Sequence, residues 1–460
     1  MKMEKPTLSK EKLSDHTKSL KFLIVILLFF TSCLNHINET TGHTIITKWP
    51  DNKRSAISIT YDDGIINQLT VARPIMNKLG LPGTFYIITG KVKGSGQGKF
   101  IGRPAEEIIK ETATIKTDST NFFERASYIA YSGTTEAVEY HSNVGSLFES
   151  GSIDAAYKLL DEGYKKLREG ELKDTDKVVF HNNAIDSTSW AEYKYYASEG
   201  HEIASHTVTH ARLAVLDEPN LLYELKQSKA DIEEFLGEEY TFSAECPYGT
   251  ENERVMEFAH KVYPSLRNRM PEPYLDELNR SSKRLPNQAQ KEYVQWQRGP
   301  LTNVTMETMK SWVDTCINND NIWLVLVFHG INGVGWEPRT DTELEEYFTY
   351  IKERTNQIWV ATFADVTKYI RQRKNSMIQI ELKKDRIEVT ISNDLDPKVY
   401  DIPLSLKTYV PEAWNSVLIE KKLSEGAGRP YKIQRDSLGS FVLYELKSDE
   451  NIILLKPGEK

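Results

Sequence analysis

The chain has 460 residues, which is enough for two or three domains, and its formal net charge at pH 7 is −8. This acidic balance argues against a nucleic-acid partner, because nucleic-acid binding normally requires a basic surface patch. The apolar fraction of 39% and the charged fraction of 27% are ordinary for a globular protein.

The N-terminus has the pattern of an export signal. Lys18 and Lys21 precede an apolar run at residues 22–30, which is too short to span a bilayer and is typical of a signal-peptide core. The small residues that follow lead to Cys33 and resemble a bacterial lipoprotein processing site. We therefore expect a signal peptide at residues 1–33, export, and attachment to the outer membrane or cell surface through a lipid on Cys33 alone. A plain secretory signal is the alternative.

Residues 34–50 read as a polar tether, and residues 51–375 as the catalytic region. A β-branched strand at Ser55–Thr60 is followed by apolar residues at helical spacing up to Leu79, and a second strand begins at Gly83. A strand, helix and strand of this length predict a right-handed parallel crossover. About seven such strands follow one another along the region, which favours an α/β fold in the form of a closed or nearly closed barrel.

A stretch from about residue 91 to residue 187 lacks this alternation. It opens with a glycine-rich segment and continues through several short helical patterns, with a candidate strand at Val178–Asn183. We interpret the stretch as a large insertion at the C-terminal rim of the first strands. Rim loops often form substrate-binding walls, although a purely structural role is equally compatible with the pattern.

The sequence pattern changes again after the last predicted helix. Short segments of alternating apolar and polar residues, separated by Asn, Asp, Pro and Gly, predict a small all-β sandwich at residues 376–460. The segment contains no motif of catalytic type. A spacer or packing role and a carbohydrate-binding role are both open.

Two groups of polar residues follow predicted strands. Asp62 and Asp63 stand at the C-terminal tip of the first barrel strand, where α/β folds place their chemistry, although an acidic helix cap would give the same pattern. His206 and His210 follow a later strand in the same way and would share one face of a helix. One carboxylate and two imidazoles make a catalytic metal site with open positions.

The segments "TYDDG", "SHTVTH" and "LVFHG" occur in this order along the chain. Over residues 55–373, less the insertion, they resemble the NodB-homology polysaccharide deacetylases, family 4 of the carbohydrate esterases. The resemblance implies a distorted seven-stranded barrel in which Asp63, His206 and His210 bind a divalent metal. It also implies that Asp62 is the general base and His329 the general acid. Zinc is the default ion for this ligand set, and Ni²⁺, Co²⁺ or Mn²⁺ also fit.

The segment "AECPYG" departs from the family pattern. Glu245 and Cys246 stand where the family has arginine and proline, and that arginine pairs with the base aspartate. Because a glutamate raises the pKa of a neighbouring carboxyl group, we expect Asp62 to be a stronger base or to be partly protonated, unless Arg269 or Arg298 approaches it. The family resemblance implies that the backbone of Tyr248 helps to hold the oxyanion.

Further candidates for the substrate site come from the segment "VQWQRGP". It loosely occupies the place of a family motif that contains aspartate and tryptophan. Trp296 and Arg298 therefore join Tyr248 and Glu245 as candidate substrate or oxyanion residues.

Three functions fit these residues, each with an extracellular poly- or oligosaccharide as partner. A metal, a base and an acid suit hydrolysis of an acetyl ester or N-acetyl group. They also suit an elimination, in which the metal chelates a uronic-acid carboxylate, the base removes the C5 proton and the acid expels the 4-hydroxyl. The third candidate is a lipid-anchored glycan-binding protein that has lost catalysis.

Overall fold

The computed structural model describes residues 40–174, 188–421, 429–447 and 452–458. These residues form two compact units, the larger at 48–374 with 395–402 and the smaller made of the other described segments. The predicted signal peptide with Cys33 and the candidate strand at Val178–Asn183 lie outside the described residues. No helix in the described segments is long and apolar enough to cross a membrane.

The smaller unit contains β1 (Thr44–Ile46), within the stretch that the sequence pattern assigns to the tether. This strand pairs antiparallel with the strand at Leu404–Tyr409, so the tether prediction is wrong for these three residues. Thr44 and Ile46 are buried and Ile45 is exposed, which is the alternation expected of a strand with one covered face.

The larger unit alternates strands and helices along the chain. Its strands are β2 (Ser55–Tyr61), β3 (Thr84–Ile87), β4 (Glu202–Ser205), β5 (Ser243–Ala244), β6 (Ser265–Leu266), β7 (Leu275–Leu278), β8 (Tyr293–Arg298), β9 (Ile322–Phe328) and β10 (Ile358–Val360). Its helices are α1 (Arg73–Leu79), α2 (Ala105–Glu111), α3 (Phe122–Ala130), α4 (Thr135–Glu149), α5 (Ile153–Glu169), α6 (Trp190–Ser198), α7 (Glu218–Phe235), α8 (Glu253–Val262), α9 (Met306–Ile317), α10 (Asp341–Lys352) and α11 (Phe363–Asn375).

In the described residues, nine parallel strands form one sheet in the order β6-β5-β4-β3-β2-β9-β8-β7, with β10 beside the first half of β2. This architecture confirms the predicted α/β barrel of NodB type. Strands β6, β7 and β8 have no counterpart among the strands predicted from sequence. All connections in the sheet are parallel, so the C-terminal ends of its strands meet at one edge.

Strands β2 and β9 form the centre of the sheet and are buried on both faces. Ile57, Ile59 and Tyr61 pack in the same apolar cluster as residues of α1, α9 and α10. The alternate residues Ser58 and Thr60 point to the other face, where Thr60 donates a hydrogen bond to Leu326 O at 2.8 Å. This alternation places the side chain that follows at position 62 on the second face.

The inserted segment contributes the four helices α2–α5. They enclose an apolar cluster of their own, formed by residues such as Phe122, Val144 and Leu160, and Val215 from the loop after β4 joins it. Burying a large apolar side chain stabilises a fold by roughly 1.5–3 kcal/mol, so this cluster fixes the insertion firmly to that loop.

The smaller unit confirms the predicted all-β character. Its strands are β1 with β11 (Met377–Leu382), β12 (Ile387–Ser392), β13 (Leu404–Tyr409), β14 (Ser416–Lys421), β15 (Arg429–Lys432), β16 (Gln434–Asp436), β17 (Gly439–Leu446) and β18 (Ile452–Pro457). As far as the chain is described, they form two antiparallel sheets with the orders β1-β13-β17-β16 and β11-β12-β18-β14-β15. The buried core includes Val389, Leu406 and Leu455.

Candidate active site

Residues that follow the barrel strands meet at the C-terminal edge of the sheet. Asp62 and Asp63 follow β2, His206 follows β4, Glu245 follows β5 and His329 follows β9. These residues and His210 line a cavity of about 290 Å³. The structure therefore brings together the carboxylates and histidines that the sequence motifs single out.

Asp63, His206 and His210 have the geometry of a metal-ligand set. Oδ1 of Asp63 lies 3.5 Å from Nε2 of His206 and 3.3 Å from Nε2 of His210, and all three side chains are buried. Ligand atoms around a tetrahedral zinc ion are about 3.4 Å apart, given bonds of about 2.1 Å. The three donors thus fit a divalent ion without rearrangement.

The two histidines are not on a helix. Residues 206–210 form a turn in which Thr207 and His210 have positive φ angles of 65° and 64°. Thr207 Oγ1 accepts a hydrogen bond from the His210 N–H at 3.2 Å, and the Glu224 carboxylate of α7 accepts two backbone N–H groups of the turn at 2.9 Å each. Backbone strain of this kind persists only where the surroundings hold it, and it concentrates at functional sites.

His206 is oriented by its second ring nitrogen. Nδ1 donates a hydrogen bond to the backbone oxygen of Glu245 at 3.0 Å and lies 2.8 Å from the Oε2 atom of the same residue, so Nε2 faces Asp63. Burial acts to lower the pKa of His206, but the carboxylates of Glu245 and Asp63 outweigh it and raise the pKa to about 10. The surroundings therefore favour positive charge at this point of the cavity.

Arg267, which directly follows β6, pairs with the predicted base. Its two terminal nitrogens contact both oxygens of Asp62 at 2.6 Å each, and Nη2 lies 3.0 Å from Oε1 of Glu245. Burial of Asp62 acts to raise its pKa, but Arg267 and the nearby histidines hold the pKa well below its usual range. The expectation of a strengthened base is wrong, because an arginine from the neighbouring strand replaces the one missing from "AECPYG".

Sequence reasoning missed Arg267 and considered Arg269 and Arg298 instead. The register of the sheet places Arg267 at the site. Ala244 of β5 pairs with Leu266 of β6, so the next residues, Glu245 and Arg267, lie side by side. A strand of two residues cannot be recognised from periodicity, so this register is visible only in the structure.

Glu245 is a positioning residue. Its side chain is 3% exposed and contacts His206, Arg267 and the Nδ2 atom of Asn268, the last at 3.1 Å. Asp62, His206 and Glu245 also lie close enough to hold an ion. The Arg267 guanidinium already contacts both carboxylates of this second trio, so it offsets part of their negative charge without a metal.

His329 lies next to the predicted base. Its Nε2 atom is 3.4 Å from Oδ2 of Asp62, and its ring meets the edge of Trp336 with 4.6 Å between ring centroids. Burial lowers the pKa of His329, and the two aspartates offset only part of that effect. Gln68 joins the two strand ends, because its Nε2 atom donates to the backbone oxygens of Asp62 and His329.

Comparisons with known proteins match parts of the chain. Residues 144–263 match the family model described as polysaccharide deacetylase. Over 247 residues, or 49% of the chain, it is also 28% identical to a gellan lyase from a Bacillus species. The chain spans only 10% of the length of that curated relative.

Solved structures of deacetylases are also similar to the chain. The peptidoglycan deacetylase PdaC from Bacillus subtilis matches 70% of this chain and 94% of its own, with 12% identity and a TM-score of 0.33. A family 4 carbohydrate esterase from Streptomyces lividans matches 67% of this chain and 92% of its own, with 9% identity and a TM-score of 0.31.

The remaining sequence candidates divide into one residue at the cavity and two away from it. Tyr248 lines the cavity and packs against His210, with 4.7 Å between ring centroids. Trp296 is buried in the apolar cluster that contacts the outer helices, and Arg298 stacks on its ring at 4.6 Å. Alternation along β8 instead turns Gln297 toward the site, where its Nε2 atom donates to Arg267 O at 2.7 Å.

The insertion supports the turn that carries the ligand histidines. His141 of α4 accepts a hydrogen bond from the backbone N–H of Arg212 at 2.9 Å, while its Nδ1 atom donates to Ala126 O at 2.9 Å. The Arg212 side chain pairs with Glu149 at the end of the same helix. The segment just after His210 is therefore held by α4 through both backbone and side-chain contacts.

His141 should make the stability of the larger unit sensitive to acid. Burial lowers its pKa to about 4, so the unfolded chain, with an ordinary value of about 6.5, binds this proton first as the pH falls. Between pH 7 and pH 5 the residue should cost about 2 kcal/mol of the free energy of unfolding. Urea unfolding of the wild type and of His141→Gln, both with a chelator present, measures this difference. Equal pH slopes for the two proteins would contradict it.

Proposed function

We propose that the chain is a metal-dependent deacetylase of an extracellular poly- or oligosaccharide. The observation that carries the proposal is the meeting of the Asp63, His206 and His210 donor set with Asp62 and His329 in one cavity. A divalent ion, zinc by default, would be held by these three donors and would supply Lewis acidity to the acetyl carbonyl. Export and lipid attachment at Cys33 belong to the proposal and are supported by the N-terminal sequence pattern.

The other side chains of the cavity have separate tasks in this reaction. Asp62, kept ionised and fixed in its plane by the two contacts to Arg267, accepts a proton from the attacking water. His329 lies 3.4 Å from Asp62, so the proton that Asp62 accepts passes to His329, which delivers it to the leaving oxygen or nitrogen of the sugar. Tyr248 forms a wall of the cavity beside His210.

Elimination on a uronic-acid residue is the second candidate. The similarity to a gellan lyase over 49% of the chain favours it. Its chemistry uses the same side chains, with Asp62 removing the C5 proton and His329 protonating the departing 4-oxygen. The argument from a strengthened base does not support this candidate, because Arg267 lowers the pKa of Asp62.

Mass spectrometry of acetylated and uronic-acid-containing oligosaccharides, incubated with the zinc-loaded full chain, tests the proposal. We expect products in which an acetyl group is replaced by hydrogen, together with free acetate. The control is Asp62→Asn, which should keep the metal and produce no acetate. Loss of water with new ultraviolet absorbance, and no acetate, would replace hydrolysis by elimination. Normal acetate release by Asp62→Asn would show that Asp62 is not the base.

A further inference from the structure

Arg280 lies at the cavity and has no assigned role in the chemistry above. It follows β7 by two residues, is half-buried and lines the cavity with the metal-ligand set. Its Nη2 atom is 3.5 Å from the position that a Cβ atom would take at Gly249, and its Cδ atom is 3.5 Å from the corresponding position at Gly299. The guanidinium is therefore held next to the turn that carries Tyr248.

Two nearby arginines, Arg267 and Arg212, each form ion pairs with carboxylates of the protein. Arg267 contacts Asp62 and Glu245, and Arg212 pairs with Glu149. Arg280 differs from both, because the described residues offer it neither a hydrogen bond nor an ion pair.

Two groups do respond electrostatically to Arg280. The guanidinium acts on Glu251 and on His329. Both oxygens of Glu251, however, accept hydrogen bonds from Asn279, at 3.1 and 3.0 Å. The guanidinium of Arg280 thus lies at the cavity without a direct ion pair to any carboxylate in the described part of the chain.

We propose that Arg280 binds a carboxylate of the substrate, so that the substrate is an acidic glycan that carries a uronic-acid residue. The assignment rests on the proposed function of the cavity and holds for hydrolysis and elimination alike. A guanidinium presents a planar fork of N–H donors that matches both oxygens of a carboxylate, and such charge-assisted pairs are about twice as strong as neutral hydrogen bonds. With a neutral sugar in the cavity, no negative group would contact this partly buried guanidinium.

Calorimetric titration of the zinc-loaded full chain measures this preference directly. The two ligands are an acetylated trisaccharide with a glucuronic-acid residue and the same trisaccharide after reduction of the carboxylate to an alcohol. Wild type should bind the acidic form about tenfold or more tightly. Arg280→Gln should bind the two forms equally and keep its metal. The matched control Arg298→Gln, whose arginine stacks on Trp296 away from the cavity, should keep the preference.

Equal binding of the two trisaccharides by wild type would overturn the inference, as would a preference that survives in Arg280→Gln. Acetate release and product mass are recorded on the same samples, so failure of the proposed function has a different signature. In that case neither acetate nor an unsaturated product forms, while the titration still reports whether Arg280 selects the acidic ligand. A loss of preference in Arg298→Gln alone would also contradict the assignment.

Discussion

Replacing Asp63 by alanine should remove the bound metal and abolish turnover. Asp63 supplies the carboxylate of the three donors, and both imidazole nitrogens point at its Oδ1 atom from 3.3 and 3.5 Å. Changes to groups that only orient a ligand already cost about 10- to 100-fold in metal affinity, so loss of the charged ligand should cost more than that. The metal content after dialysis, measured by elemental analysis, should fall from about one ion per chain to almost none.

The control for this experiment is the neighbouring carboxylate. Asp62→Asn removes a negative charge of the same kind within the same cavity but leaves the three donors in place. It should keep the ion and lose turnover, so the pair of variants separates metal binding from proton transfer. Full metal content in Asp63→Ala would place the ion elsewhere, and the trio of Asp62, His206 and Glu245 would then be the first alternative.

Replacing Arg267 by alanine should destabilise the barrel by about 3–5 kcal/mol, which is the usual cost of breaking a buried ion pair. Arg267 is 2% exposed, and its removal leaves Asp62 and Glu245 buried together without their shared cation. Burial then dominates the pKa of Asp62 and raises it, so activity at neutral pH should fall with stability. Urea unfolding measures the first effect, and acetate release the second.

A second substitution separates charge from packing. If the loss comes from uncompensated carboxylates, adding Glu245→Gln to Arg267→Ala should recover part of the free energy of unfolding. Arg298→Ala, the matched arginine control, should cost only about 1 kcal/mol, since its contact is a half-buried stacking on Trp296. No recovery in the double variant would mean that Arg267 stabilises the site mainly through its contacts with Tyr86 and other neighbours.

The residues that sequence reasoning located share one property, which is that each stands directly at a strand end or within a short local motif. Asp62, Asp63 and His329 follow long, strongly apolar strands, so their position at the rim can be predicted from the sequence alone. Arg267 could not be located in this way, because its strand has two residues and its partner lies on another strand.

The misplaced candidates show a second limit. Trp296 and Arg298 lie on the correct strand, but a period of two means that a shift of one residue selects the opposite face of the sheet. The residue between them, Gln297, is the one that reaches Arg267. The packing of the sheet decides which alternate side chains of a strand face the site. When a strand is buried on both faces, its sequence does not show which side chains these are.

Replacing Glu245 by arginine, the residue that the family resemblance implies at this position, should disrupt the site. An arginine at position 245 would meet the guanidinium of Arg267 in a closed space, since Glu245 is 3% exposed and in contact with Arg267. The substitution would bring two like charges together beside His206 and remove the carboxylate that orients this ligand. We therefore expect loss of metal, which elemental analysis of the variant measures, and loss of turnover with it.

The pairing of Glu245 with Arg267 has a consequence for substitutions at both positions. Arg267 lies between the buried carboxylates of Asp62 and Glu245, and Glu245 also contacts the ring of His206. Changing Arg267 therefore alters the charge around the predicted base, and changing Glu245 alters the orientation of a predicted metal ligand. Because the two residues are in direct contact, the effects of changing both should not equal the sum of the single effects.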